Sequence, residues 1–189
     1  EQVYEGSFEN DDELAMRTRW SAGELRTSPT GRKFLGELGN GSTTLRLSRI
    51  PAGRSIVVEF EVLAIGGFEG NSARNGPEIF AVQVLHGDEM IKTNFATVPG
   101  TRQAFPDQLG SGDFEAGTSA VEVNALGFNT LADANGGSGT TDAIYRVRFR
   151  FDAPGSGDVE GTSGGDDVFI EFSAQGLNAS ASWGLDNVM

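Results

Sequence analysis

Ser180-Ala181-Ser182-Trp183-Gly184-Leu185-Asp186-Asn187-Val188-Met189 are the last residues of the sequence. A bulky aromatic, a glycine and then an apolar/acidic alternation read as a β-strand with an acidic group near its end. In a sandwich whose first and last strands lie side by side, such a strand finishes beside the opening segment. That segment is Glu5-Gly6-Ser7-Phe8-Glu9-Asn10-Asp11-Asp12. The sequence therefore predicts that the two ends of the chain meet.

Working outward, the same two-residue period recurs. Ser55 to Ile65 is the strongest case, with Ile56, Val58, Phe60, Val62 and Ala64 on one face and Val57, Glu59, Glu61 and Leu63 on the other. Thr43 to Ile50, Glu78 to Leu85, Met90 to Ala96 and Val168 to Ala174 read as further strands, with Gly87-Asp88 turning one hairpin. Ala143 to Phe151 sets Ile144, Arg146, Arg148 and Arg150 against Tyr145, Val147, Phe149 and Phe151, a strand with one wet side. Residues 1–10, Leu14 to Leu25 and Ala120 to Phe128 are weaker candidates for one strand each, and Lys33 to Leu38 carries an apolar pair. Ser28-Pro29-Thr30-Gly31, Gly39-Asn40-Gly41 and Pro51-Ala52-Gly53 are turns by composition, and Gly66 to Pro77 is a long loop. Roughly eight to ten short strands without a helical period predict an all-β chain, an antiparallel two-sheet β-sandwich. The number of strands and the length of the loops favour the jelly-roll type over an immunoglobulin-like one.

The 189 residues are long enough to bury a core and read as a single domain, 1–189. A net charge of −13 repels nucleic acid and anionic membrane and suits a soluble surface or extracellular protein. An excess of carboxylates also suits a hard cation such as Ca²⁺. With no Cys there are no disulfides and no thiolate metal sites, and no run of 18 or more apolar residues predicts a membrane span. A start at Glu1 fits a mature secreted protein or a trimmed one.

A resemblance adds to this reading. Phe34-Leu35-Gly36-Glu37-Leu38-Gly39-Asn40-Gly41, Val57-Val58-Glu59-Phe60-Glu61-Val62, Gly67-Phe68-Glu69-Gly70-Asn71 and Gly76-Pro77-Glu78 occur in this order. They are followed by Thr93-Asn94-Phe95, Asp142-Ala143-Ile144-Tyr145-Arg146-Val147 and Ser182-Trp183-Gly184-Leu185-Asp186-Asn187-Val188. The series resembles secreted or surface-attached bacterial jelly-roll modules, and the opening Gly6 to Asn10 with Asp186 to Val188 looks like the galactose-binding-like jelly rolls. The resemblance implies a jelly-roll fold, a secreted or cell-surface location in a bacterium, and a structural Ca²⁺ where first and last strands meet. It departs from the pattern where Phe68-Glu69 replaces Trp-Asp and where Ser180-Ala181 replaces Asp-Glu before the final Ser-Trp. Those changes remove an aromatic platform and two ligands.

Candidate sites follow from residue chemistry. Glu9 and Asp186, with Asn10, Asp11 and Asn187 nearby, either help to hold Ca²⁺, which takes six to eight oxygens, or cap turns and pair with Arg. Glu69, Asn71 and Glu78 flank the long loop as a second cluster, or as ordinary loop residues. Asp166-Asp167 beside two glycines is a weaker cation signal. Trp183 reads as core, and Phe68 and Trp20 as the exposed aromatics of a ligand- or partner-binding rim. Arg146, Arg148 and Arg150 form a basic strip that pairs with carboxylates of neighbouring strands or docks on an acidic patch of another copy.

Catalysis has little in its favour. His86 is the only His, and no Cys nucleophile, zinc-protease, phosphate-loop or nucleophile-elbow motif occurs. Paired carboxylates cleave glycosides, but 27 acidic residues single out no pair. The sequence thus predicts a non-enzymatic extracellular or cell-surface sandwich, acting in adhesion or in an extracellular assembly with other copies of itself or cell-surface proteins. The alternative is a calcium-supported carbohydrate-binding module whose partners are glycans.

Overall fold

The computed structural model describes residues 2–9, 16–85, 87–128, 142–154 and 167–189. Its strands are β1 Glu24–Thr27, β2 Lys33–Leu38, β3 Gly41–Leu47, β4 Ser55–Gly66, β5 Ile79–Val84 and β6 Glu89–Thr93. They continue as β7 Arg102–Gln103, β8 Phe114–Glu115, β9 Glu122–Val123, β10 Asp142–Asp152, β11 Val168–Gln175 and β12 Ala181–Asp186. A six-stranded sheet has the order β1-β2-β12-β4-β10-β9, a four-stranded sheet the order β3-β11-β5-β6, and β7 and β8 form a two-stranded ribbon. The pairings are antiparallel. The chain is an all-β, antiparallel two-sheet sandwich, as the alternating stretches predict.

The long pairings nest. β2 pairs with β12, β3 with β11, β4 with β10 and β5 with β6. The chain thus runs outward through β5 and returns from β6, each returning strand lying beside an outgoing one. Pairing of β12 with β4 and of β11 with β5 rolls this double ribbon into the two sheets.

Their inner faces interlock through aromatic rings. Phe60 of β4 meets Phe172 of β11 edge-to-face with ring centroids 5.1 Å apart, and Phe80 of β5 meets Trp183 of β12 at 5.4 Å. Both geometries follow the quadrupole preference for tilted over sandwiched rings. Trp183 is fully buried, as its strand demands, and its indole Nε1 donates to the Gly39 carbonyl at 2.8 Å.

The six-stranded sheet is also covered over part of its outer face. Leu63 and Ile65 of β4, Ile144 of β10 and Phe34 of β2 form a second small core with Leu126 from the segment after β9. The outer face therefore changes along β4, from exposed Val57 through buried Glu61 to buried Leu63 and Ile65.

The two ends of the chain meet. Gly6 and Val188 exchange both backbone hydrogen bonds at 2.8 and 3.0 Å, and Met189 exchanges both with Glu59 at 2.8 and 3.0 Å. Asn187 makes this path possible by adopting φ 48°, a left-handed conformation that asparagine tolerates better than most residues.

Two expectations differ. Where a strand was expected over Leu14 to Leu25, a helical turn occupies Met16 and Arg17, Trp20 bridges to Leu45, and β1 begins at Glu24; Leu14 and Ala15 lie outside the described residues. The opening segment pairs at Gly6 rather than forming a full strand.

Of residues 98–140, weakly patterned in the sequence, the described stretch 98–128 is pinned by buried Gln103. Its Oε1 accepts from the Tyr145 hydroxyl at 2.9 Å and from the Ala96 amide at 3.0 Å, while its Nε2 donates to the carbonyls of Phe105 and Thr118. A buried amide with both ends satisfied fixes a loop that has little apolar periodicity.

Candidate functional site

Strand register builds a charged cluster on the outer face of the six-stranded sheet. The β12–β4 pairing sets Asp186 directly across from Glu61, and the β10–β4 pairing sets Arg146 across from Glu61 on the other side. Both carboxylates are buried, Glu61 at 5% and Asp186 at 2% exposure. Like charges facing each other across two strands repel, so the pair needs a cation between them.

Arg32 supplies it. It follows the Ser28 to Gly31 turn, where the Ser28 hydroxyl accepts from the Arg32 amide at 3.0 Å and the Ser28 amide donates to the Arg32 carbonyl at 2.8 Å. From there its Nε donates to Asp186 Oδ2 at 2.6 Å, and its Nη2 donates to Glu61 Oε2. Arg146 Nη2 donates to Glu61 Oε1 at 2.9 Å, Asn187 Nδ2 to Glu61 Oε2 at 2.8 Å, and the Asn187 amide to Asp186 Oδ1 at 2.7 Å.

Two carboxylates and two guanidiniums thus clasp β12, β4, β10 and the β1–β2 turn. Burial pushes the Glu61 carboxyl up, but hydrogen bonds from Arg146, Asn187 and Arg32 outweigh it and hold the group below its ordinary value. For Asp186 burial wins over Arg32, and its carboxyl is raised. Beside the clasp lies a hollow of about 280 Å³ lined by Glu5, Ser7, Glu59, Glu61, Arg146 and Asn187, among others.

The structure places the residues expected at a calcium site as follows. Asp186 and Asn187 belong to the arginine clasp. Glu9 lies near it, its Oε1 accepting from the Lys33 amide at 3.1 Å and its carbonyl from Lys33 Nζ at 2.9 Å. Asn10 and Asp11 lie outside the described residues, as do His86 and Asp166. Oxygens already turned toward guanidinium and amide donors fit the turn-capping and Arg-pairing alternative better than a calcium cage. Among the described residues no group of three or more His, Asp or Glu side chains is set to hold a metal ion.

At the second cluster, Asn71 is consumed by structure: its Oδ1 accepts from Asn94 Nδ2 at 2.9 Å and its Nδ2 donates to the Gly112 carbonyl at 3.0 Å. Glu78 is buried, and its Oε2 accepts from the amides of Glu69 and Gly70, each at 2.9 Å. That carboxylate fixes the loop, and Glu69 stands half-buried beside it.

The expected exposed aromatics are corrected. Phe68 and Trp20 are both buried, at 3% and 5% exposure. Trp20 fills the junction between the sheet and the opening segment, 5.7 Å from the Phe172 ring and 6.2 Å from that of Phe8, and donates from Nε1 to the Tyr4 hydroxyl at 2.8 Å. An indole enclosed between the four-stranded sheet and the opening segment removes more apolar area from water than one at a rim.

The basic strip stays on the surface, with Arg146, Arg148 and Arg150 exposed. Arg146 pairs with Glu61 at 2.9 Å and sits 3.9 Å from Glu59, and Arg150 donates from Nε to the Ser55 hydroxyl at 2.6 Å.

Sequence reasoning passed over two features. One is Arg32 with Glu61; acidic residues alternating with apolar ones in β4, against arginines alternating in β10, were the available signal. The other is a cleft of about 430 Å³ where the two sheets part beside the chain ends. Its floor is Leu45, Leu47, Ile50 and Ile170, its sides are Ile56, Val57, Val58 and Val188, and Arg54, Arg148 and Glu59 also line it. Comparison of the chain with protein-family models finds no matching family, and comparison with curated proteins finds no match, so the site is read from its own geometry.

Proposed function

We propose that this protein acts by contact rather than by chemistry, as a non-enzymatic β-sandwich subunit of an extracellular or cell-surface assembly of bacterial type, or in adhesion. One observation carries the reading. The cleft between the sheets is apolar on its floor and open to solvent, and three exposed apolar side chains, Val3, Val57 and Met189, stand among the residues that line it. An apolar opening edged by exposed Arg148 in a chain of net charge −13 supports contact with a partner surface. The nesting of β2 with β12, β3 with β11, β4 with β10 and β5 with β6 supports a single rolled module of jelly-roll type. Burial of Phe68 and Trp20 ranks contact with protein ahead of a glycan platform.

Sedimentation velocity from about 1 to 100 µM, with electron microscopy of the same samples, tests this; the range brackets contacts of micromolar strength. The expected result is concentration-dependent growth into oligomers. A monomer at every concentration and an empty field in the microscope would remove the assembly reading. Calcium support, proposed from Glu9 and Asp186 with Asn10, Asp11 and Asn187, is tested in parallel by melting with Ca²⁺ and with EDTA. Binding to the folded state raises the melting temperature by mass action, and identical curves dispose of the ion.

A further inference from the structure

The two large sheets end on the strands β1, β9, β3 and β6. The edge of β3 is taken by the segment before β1: the Ser21 amide donates to the Thr44 carbonyl at 3.0 Å and the Arg46 amide to the Arg19 carbonyl at 2.8 Å. That of β6 is taken by Gln108 and Leu109, the Lys92 amide donating to Gln108 Oε1 at 2.9 Å and the Leu109 amide to the Lys92 carbonyl at 2.7 Å. β9 is two residues long. There remains β1, four residues long.

The outward backbone groups of β1 are open. In an antiparallel ladder, alternate residues send both N–H and C=O to the same neighbour. The Ser28 amide donates to the Arg32 carbonyl at 2.8 Å, so Ser28 faces β2, and by parity so do Arg26 and Glu24. Leu25 and Thr27 therefore turn theirs the other way, out of the sheet. Their mates on β2 agree: Lys33, paired with Thr27, turns its amide away from β1 to Glu9 Oε1 at 3.1 Å. Among the described residues nothing hydrogen-bonds the backbone of Leu25 or Thr27 on the open side. The flanking Gly23 and Ser28 are both described, so this edge does not depend on where the sequence begins or ends.

Short edges that carry charge ordinarily resist pairing. Here the charges alternate in sign, with exposed Glu24 and Arg26 on the outer face and Leu25 between them turned to the core. A second β1 laid antiparallel, with Leu25 opposite Leu25, sets Glu24 across from Arg26 on both sides of the axis. The backbone allows this register, because Leu25 is an outward residue and exchanges both hydrogen bonds with its counterpart. Glu24 and Arg26 then fall in non-hydrogen-bonded pairs, where side chains stand closest. Within one chain Arg26 Nη2 lies 2.9 Å from Glu24 Oε2 in an exposed ion pair, and two copies exchange these internal pairs for crossed ones at little cost.

We propose that β1 pairs antiparallel with β1 of a second copy about a two-fold axis at Leu25, joining two six-stranded sheets into one. The inference rests on the assembly reading and names one of its contacts. Backbone pairing supplies the adhesion, and the charges supply the register. The contact is isologous and closes on a pair.

The test reverses the charges. Arg26→Glu leaves the edge with two acids and Glu24→Arg with two bases; both positions are exposed, and each variant is first shown to melt like the parent. Sedimentation velocity then follows the monomer–dimer step. Alone, each variant faces like charges across the axis and dimerises about tenfold or more less tightly than the parent. Mixed in equal amounts, the two form one-to-one dimers, and a chain carrying both changes pairs with itself again. Single variants that dimerise like the parent overturn the β1 contact and leave the assembly reading standing. A mixture or a doubly changed chain that stays monomeric also overturns it. A parent that never associates removes both. Should either variant melt below the parent, Thr27→Pro takes its place, since proline removes an outward amide and spares the ladder with β2. Loss of the dimer then supports the pairing, and an unchanged dimer overturns it.

Discussion

Arg32 illustrates why a buried charge is a strong local constraint and a weak source of net stability. Its side chain is 20% exposed, and the two carboxylates it touches are almost fully enclosed. Taking three charges out of water costs several kcal/mol each, and their mutual attraction roughly repays that. Removing Arg32 leaves Glu61 and Asp186 facing each other across β4 and β12, with Arg146 as the remaining cation on Glu61 and, among the described residues, none on Asp186. Arg32→Met is therefore expected to lose about 3 kcal/mol in urea unfolding, the low end for a broken buried pair because Arg32 is partly solvated. Adding Asp186→Asn to that variant should recover part of the loss, since one of the opposed charges is then gone. If Arg32→Met unfolds like the parent, the clasp does not hold the strands. Of this cluster Asp186 and Asn187 were legible in the sequence as polar residues at a strand end, and pairing with Arg was one stated alternative. Arg32 was not, because nothing in a Ser-Pro-Thr-Gly turn tells which strand the next side chain reaches. Only the register does that.

At the scale of the element, β12 shows what a sequence pattern does and does not carry. Its alternation of Ala181, Trp183 and Leu185 against Ser182, Gly184 and Asp186 was readable, and the inward set is buried as the period demands. The reason for Gly184 was not readable. The ring of Phe34 on β2 lies against it, and a Cβ at 184 would meet Phe34 Cδ2 and Cε2 and come within 3.0 Å of the Leu35 carbonyl oxygen. Phe34 takes that place because it faces outward into the second small core. Gly184→Ala is expected to cost about 1–3 kcal/mol, the range for inserting a methyl where the surroundings must move. Gly39→Ala, where a Cβ meets nothing within 4 Å, should stay within about 0.5 kcal/mol of the parent. Equal effects of the two would mean that the β2–β12 contact is not glycine-limited. The same distinction explains the other outcomes. Strands with a clean two-residue period, β3, β4, β5, β10 and β11, were legible. The β7–β8 ribbon was not, being two residues long on each side and held through Gln103 rather than through apolar alternation. Trp20 was misplaced at the surface because no period surrounds it; its burial comes from the opening segment folding over β3 and β11, a long-range contact.

For the whole molecule the open question of stability is how an acidic sandwich responds to pH. With a net charge of −13, repulsion among carboxylates grows as they ionise, so much of the slope is collective. Buried groups give it structure, with opposite signs: Glu61 on one side, Glu78 and Asp186 on the other. The Glu61 carboxyl is held low, so its contribution is present above its unfolded value and is lost as pH falls through its folded value. Glu78 works the other way. Burial raises its carboxyl, the amides of Gly70 and Glu69 only partly offset this, and the Glu69 charge adds to the rise. The folded state therefore holds the Glu78 proton more tightly than the unfolded chain. Its contribution is fully present below the unfolded value, near pH 4.3 for a glutamate, and declines as pH rises through the folded value. Glu78 also fastens the loop that carries the chain from β4 in one sheet to β5 in the other, so the proton acts on the joint between the layers. Glu78→Gln keeps a carbonyl oxygen for the amides of Glu69 and Gly70 but cannot ionise. Its melting temperature relative to the parent should accordingly rise between about pH 4 and pH 7, whatever the common background from the remaining carboxylates. A difference that stays flat over that interval would mean that Glu78 keeps the same proton affinity folded and unfolded, and that the cost of its burial is met by partners other than those two amides.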